Sequence, residues 1–285
     1  MATSPELPVE LQERVLAALG FSDAPEPTLE SLTSLYAAWC HNVPFDNVRK
    51  LIHVAARDPG PLPGNDPVDF FEAWLAWRTG GTCWAGSGAL HALLRSLGFS
   101  AARGIGTMLV VPDLPPNHGT VVVDFDGRRY LVDTSILHAA PLPLEPDEAT
   151  GVDHPAWGVA CGRRDGRWHV AWRPLHKTDG FECRIETLET DSATCGEYHE
   201  RTRGWSPFNF ELSARLNRDD RVVGAGFGKR VELDAAGRIH TTPLDPPLRR
   251  KVLIEELGIG EEIVDRLPAD RPTPPPPGSH TAEAG

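Results

Sequence analysis

The segment RTGGTCWAGSGALHALLRSLGF, residues 78–99, and the segment NHGTVVVDFDGRRYLVD, residues 117–133, together decide the fold. In the first, Gly80-Gly81 breaks the chain. After Thr82, Leu90, Leu93, Leu94 and Leu97 fall at i, i+3, i+4 and i+7, which predicts a helix opening at Cys83 and ending where Gly98 supplies a left-handed cap. A cysteine at that position lies at the positive end of the helix dipole, and the two glycines before it permit close backbone approach. The placement favours a thiolate, which is the nucleophilic form of the side chain and is usually activated by a neighbouring base. A small buried packing residue is the plainer alternative for any cysteine.

The second segment holds two β-branched runs, Thr120 to Phe125 and Arg128 to Asp133, separated only by Asp126-Gly127, a strong hairpin signal. With a two-residue turn, Thr120 lies opposite Asp133, and His118 shares the face of Thr120. His118 and Asp133 are then diagonal neighbours roughly 7–8 Å apart at the backbone, close enough for a carboxylate to orient an imidazole. A one-residue slip in register would put them on opposite faces. The chain order Cys83, His118, Asp133, with the nucleophile on a helix and base and acid on a sheet, is the usual logic of cysteine acyl transfer.

Working outward, Leu7 to Leu19 and the stretch through Leu32, Leu35, Tyr36 and Trp39 read as helices, the second capped by Thr28. A loop with four prolines over Asp58 to Pro67 precedes a further helix, Val68 to Trp77. From Ala101 the texture is β-rich, including Trp168 to Trp172 and Arg221 to Leu233. A terminal helix is expected over Leu248 to Leu257, and the proline-rich 268–285 is expected to be disordered. The fold class is α+β.

At 285 residues, 40% hydrophobic and 24% charged, the chain can bury a sizeable core in two or three packed units. The net charge of −12 argues against nucleic acid or an anionic membrane as partner. No leader or membrane span is evident, so a cytoplasmic location is expected. Cysteines at 40, 83, 161, 183 and 195 are odd in number and scattered, which favours free thiols. Cys161, Cys183, Cys195 and His199 fit no compact zinc-ligand spacing, and no metal is expected.

These motifs resemble the arylamine N-acetyltransferases. The family pattern of Arg, two glycines, any residue and the catalytic cysteine is met by Arg78, Gly80, Gly81, Thr82 and Cys83, with Thr79 inserted after the arginine or replacing a glycine. Glu26 to Leu32, Val43-Pro44-Phe45-Asp46-Asn47, Leu93 to Phe99, Asn117-His118, Tyr130 to Asp133 and Ser206-Pro207-Phe208-Asn209 are similar to further family segments, so the likeness runs over about residues 5–267. It implies a helical domain over 1–100 carrying the cysteine, a β-barrel over 101–200 carrying the histidine and aspartate, an α/β lid over 201–267 and a tail over 268–285, around a cysteine-protease-like core. It implies a ping-pong reaction in which Cys83 takes an acetyl group from acetyl-CoA and passes it to an amine, with no tightly bound cofactor. Phe45 and Trp84 are expected beside the substrate. Lys229 and Arg230, after three glycines, are candidates for a CoA or phosphopantetheine phosphate, although a tight exposed hairpin explains them equally well.

Two segments depart from the family. Trp84-Ala85-Gly86-Ser87 keeps the aromatic but lacks the usual Glu and Asn, and Thr134-Ser135-Ile136-Leu137 replaces a Gly-Phe-Gly turn after the acid. The smaller Ala85 and Gly86 would suit a larger acyl group, which keeps open an amide synthase of natural-product assembly fed by an acyl carrier protein. A cysteine hydrolase, with water as acceptor, and a non-catalytic scaffold are further alternatives.

Overall fold

Thr28 stops the chain from fraying at the start of its second helix by accepting from Ser31 N at 3.1 Å, and Gly98 takes φ 84° beyond the end of the helix that Cys83 opens. Both caps are where the sequence places them. The computed structural model describes residues 7–110, 114–175, 177 and 179–274. Five helices come first, α1 (Val9–Leu19), α2 (Leu29–Asn42), α3 (Val48–Ala55), α4 (Pro67–Trp77) and α5 (Cys83–Ser96), with a short strand β1 (Phe45–Asp46) between α2 and α3. The apolar faces of α1, α2, α4 and α5 meet in one cluster around Trp39, Phe70, Phe71 and Trp74, whereas Val48 and Leu51 of α3 join a second cluster.

Eight strands follow: β2 (Ala101–Met108), β3 (His118–Phe125), β4 (Arg128–Val132), β5 (Leu142–Pro143), β6 (Thr150–Val152), β7 (Val159–Arg164), β8 (Arg167–Trp172) and β9 (Phe181–Thr190). They form one antiparallel sheet in the order 5-4-3-2-9-8-7-6. The sheet curls until its two edge strands come together, where Thr150 Oγ1 donates to Pro143 O at 2.6 Å, leaving a nearly closed barrel. Alternation along β3 sorts its residues. Val121 and Val123 pack outward on the helices, whereas Val122 points into the barrel core with Leu131, Val170 and Ile185. His118 has the parity of Val122, and Asp133 that of Leu131, so both belong to the inner face.

After α6 (Ser192–Arg201) come β10 (Ser213–Arg218), β11 (Arg221–Gly226), β12 (Lys229–Leu233) and β13 (Ile239–Pro243). β1 completes this second sheet by pairing with β10, Phe45 opposite Arg215, so the first hundred residues contribute its edge strand. The chain closes with α7 (Pro246–Lys251), which runs on as a wider turn of helix over Val252–Glu256, and with α8 (Glu261–Val264); their apolar side packs on β10 and β11. Residues 268–274, read from composition as part of a disordered tail, instead bond to the preceding chain: Asp270 accepts from Leu212 N at 3.1 Å, and Arg271 N donates to Phe210 O at 2.9 Å. Backbone pairing of that kind outweighs proline content. The rest of that tail, 275–285, lies outside the described residues.

Among the described residues, no helix is long and apolar enough to cross a membrane, and no group of His, Cys, Asp and Glu could hold a metal ion. All five cysteines are free thiols.

Candidate active site

The N-terminus of α5 meets the rim of the barrel at β3, and a glycine sets how closely. A Cβ on Gly119 would lie 2.7 Å from Trp84 Cε3 and 2.8 Å from Ser87 Oγ, so only glycine lets the helix seat there. A second close approach holds the other side of the turn. A Cβ on Gly80 would lie 1.8 Å from Pro44 O, and Gly80 N instead donates to the buried Asp46 carboxylate at 2.6 Å. Thus Gly119 sets how closely the helix carrying Cys83 lies on the strand carrying His118, and Gly80 ties the turn before that helix to Pro44 and Asp46.

The hairpin has the expected register, Val121 opposite Val132. His118 Nε2 lies 2.6 Å from Asp133 Oδ2, and the ring also hydrogen-bonds Cys83, for which Nδ1 is the nitrogen left. The Cys83 thiol points toward Asn117 O at 3.9 Å. Cys83, His118 and Asp133 are 6%, 1% and 0% exposed, so the charges interact with little screening by water. Burial alone would lower His118, but the Asp133 carboxylate, its hydrogen bond and the contact with Cys83 outweigh that and raise it to about 10. For Asp133 burial opposes ionisation, yet His118 and two backbone amides hold the carboxyl well below its ordinary range.

Asp133 is itself held on every side. Its Oδ1 accepts from Ser135 N and Ile136 N, both at 2.9 Å. The Tyr36 hydroxyl accepts from Asp133 N at 2.9 Å and donates to Asp133 O at 2.7 Å. The segment Thr134-Ser135-Ile136, a departure from the family pattern, therefore still supplies the turn that orients the acid. Tyr36 was not legible as a site residue, because in the sequence it belongs to the apolar stripe of α2.

Beside Cys83 opens a cavity of about 270 Å³ lined by Phe45, Trp84, His118, Trp172, Phe208 and Arg215 among others. Phe45 and Trp84 both line this cavity. Phe45 meets Phe208 edge-on at 5.4 Å, and Trp84 stacks on Tyr198 at 5.3 Å. Lys50 also reaches the cavity, donates to Thr202 Oγ1 at 2.7 Å, and is pushed down to about 7 by burial, with Cys83 acting in the opposite sense.

Arg230 is occupied by carboxylates, Glu256 at 2.8 Å and Glu232 at 2.7 Å, and neither it nor the exposed Lys229 lines the cavity. The pair lies on β12 of a tight hairpin, the plainer reading of that glycine-rich run. Nor do Ala85 and Gly86 leave room for a larger acyl group. A Cβ on Gly64 or Gly81 would lie 2.7 Å or 2.9 Å from Ala85 Cβ, and one on Gly86 2.7 Å from Thr134 Oγ1. The volume freed by the small side chains is filled by protein, and neither residue lines the cavity.

A family model described as N-acetyltransferase matches residues 28–171, half of the chain. The arylamine N-acetyltransferase of Mycobacterium tuberculosis is 27% identical over 279 residues, covering 89% of this chain and 94% of that protein. The solved arylamine N-acetyltransferase of Mycobacterium abscessus superposes with a TM-score of 0.76 at 19% identity, covering 90% of this chain and 94% of that one. That of Mycobacterium marinum, solved in complex with CoA, gives 0.75 at 19% identity, covering 88% and 95%. Sequence, barrel and helical layer agree, and the chain belongs to the arylamine N-acetyltransferase family.

Proposed function

We propose that the protein moves an acyl group from acyl-CoA to a small-molecule amine through a thioester on Cys83, with His118 as the proton carrier and Asp133 as the group that orients it. The observation that carries this reading is the buried chain of contacts from Cys83 through His118 to Asp133 beside a largely apolar cavity. The Cys83 proton passes to His118 Nδ1 before the first half-reaction, a transfer favoured by the pairing with Asp133, and the sulfur then attacks the thioester carbonyl. The bond to the CoA sulfur breaks, and the CoA thiol leaves with the proton from His118. In the second, the amine attacks the Cys83 thioester, gives a proton to His118 and releases Cys83 as the amide forms.

The first-turn amides of α5 have no acceptor within their own helix, and no side chain caps them. They are suited to hold the carbonyl oxygen while it is negatively charged. The complex of the Mycobacterium marinum relative with CoA supports CoA as the carrier of the acyl group. The domain reading belongs to the same proposal: a helical unit over 1–100 supplies the nucleophile, a barrel over 101–200 the base and acid, and a lid over 201–267 the far cavity wall.

The test is to incubate the protein with acetyl-CoA, longer acyl-CoAs and acyl-carrier-protein thioesters without amine, and to locate the adduct by intact mass and peptide mapping. A stable acetyl group on Cys83, absent from Cys83→Ala and released as an amide when an arylamine is added, is the expected result. Labelling only by the carrier protein would replace CoA with that partner, rapid loss to water would make the enzyme a hydrolase, and no labelling would refute the acyl-enzyme.

A further inference from the structure

The cavity contains a buried cation that acyl transfer between a thioester and a neutral amine does not require. Arg215, on β10 opposite Phe45, is 5% exposed and lines the cavity. Its Nε and Nη1 are buried and have no hydrogen-bond partner among the described residues. Its guanidinium lies over the Trp172 ring, 5.2 Å from the centroid. Among the described residues the buried carboxylate acting on it electrostatically is Asp133, whose two oxygens are already engaged by His118 and by the amides of Ser135 and Ile136. Burial lowers Arg215 only to about 10, so it keeps its charge at neutral pH.

The surroundings amplify that charge. The described residues lining the cavity include Lys50, His118 and Arg215 but no aspartate or glutamate, in a chain whose net charge is −12. Lys50 has a protein partner in Thr202, whereas Arg215 Nε and Nη1 have none among the described residues. A guanidinium fork beside an aromatic ring suits a carboxylate, and the free Nε and Nη1, which lie on different edges, can each donate a charge-assisted N–H bond to it. Buried polar groups are nearly always satisfied, and a ligand is what can satisfy these.

We propose that Arg215 is a specificity determinant that selects a carboxylate-bearing substrate, pairing with the carboxylate while the reacting group lies at Cys83. This rests on reading the cavity as the acyl-transfer chamber. The carboxylate is carried either by the amine or by the acyl group, since both occupy the chamber in turn.

The test measures binding, so that it reads out whether or not acyl transfer is the reaction. In Cys83→Ala protein, calorimetry would compare 4-aminobenzoate with 4-aminobenzamide, and succinyl-CoA with butyryl-CoA. A charge-assisted pair predicts that the carboxylated member of one comparison binds about 10–100-fold more tightly, and that Arg215→Met removes most of that ratio. The comparison that responds names the source. Arg215→Lys, which keeps the charge but not the fork, should restore part of the ratio, and it carries the test if Arg215→Met does not fold by circular dichroism. No discrimination in either comparison, or equal weakening of charged and neutral members by both variants, would overturn the assignment and leave Arg215 a structural or pantetheine contact.

Discussion

Replacing Asp133 by asparagine is the most searching perturbation, because the structure dictates which way the new amide must point. Asp133 Oδ1 accepts two backbone N–H groups, from Ser135 and Ile136 at 2.9 Å each. Turning the amide nitrogen toward them would lose both bonds and set donors against donors, at about 1–3 kcal/mol for each group left unsatisfied. The amide oxygen therefore stays at that position, and the NH₂ faces His118 Nε2, 2.6 Å away in the wild type. Nε2 must then accept, the ring proton moves to Nδ1, and the nitrogen beside Cys83 becomes a donor that cannot take the thiol proton. In serine-protease triads the same change lowers kcat by about ten-thousand-fold through the wrong tautomer, and a loss of about that order is expected here. The assay is the single-turnover rate of Cys83 acylation by acetyl-CoA, followed by intact mass, with ring ¹⁵N shifts of His118 reporting the tautomer. An acylation rate within about tenfold of wild type, with Nε2 still protonated, would refute the tautomer argument.

Tyr36→Phe strands the buried N–H of Asp133 and should destabilise by about 1–3 kcal/mol in urea titration; an unchanged midpoint would show that the hydroxyl contributes nothing there. The paired His118 also predicts the sign of an alkaline effect. Because its folded value is raised to about 10, the stability from pairing is complete below about pH 6.5, declines as pH rises above that, and is gone above about 10. The melting temperature should therefore fall more steeply between about pH 7 and 10 in wild type than in Asp133→Asn, and parallel curves would contradict the pairing. Ala85→Glu, which restores the residue usual in the family, should destabilise by about 3–5 kcal/mol, because Ala85 is buried against Gly64 and Gly81 with no space or partner for a carboxylate. Wild-type stability in that variant would mean that the packing yields.

Periodicity and turn chemistry made much of this fold legible. The leucines at 90, 93, 94 and 97 place Cys83 at a helix start, and Asp126-Gly127 fixes a hairpin register from which the His118–Asp133 pair follows. These are local rules, in which a few residues determine a dihedral or a face. What could not be read depends on contacts between distant segments. Tyr36 meets Asp133 across 97 positions, and nothing in its helical neighbours distinguishes a tyrosine serving the triad from one filling the core. Arg215 was hidden in a strand whose inward residues are polar, and its unpaired state is a property of the assembled cavity.

Arg230, Lys229, Ala85 and Gly86 depend on distant contacts as the hidden residues do. Arg230 and Lys229 follow glycines, as phosphate-binding cations do, but whether a cation is available depends on carboxylates elsewhere, and Glu256 lies 26 positions away. Ala85 and Gly86 suggested space because small side chains leave volume, but where that volume goes depends on what packs above them. Gly64, Gly81 and Thr134 close in, so the space around Ala85 and Gly86 is taken by protein and lies apart from the chamber. In this chain the geometry of the triad rests on Gly119, Tyr36 and the amides after Asp133, and not on Ala85 or Gly86. Selectivity is then free to vary at the opposite wall, where β1 brings Phe45 against Arg215 and the sheet of β10–β13 faces the nucleophile.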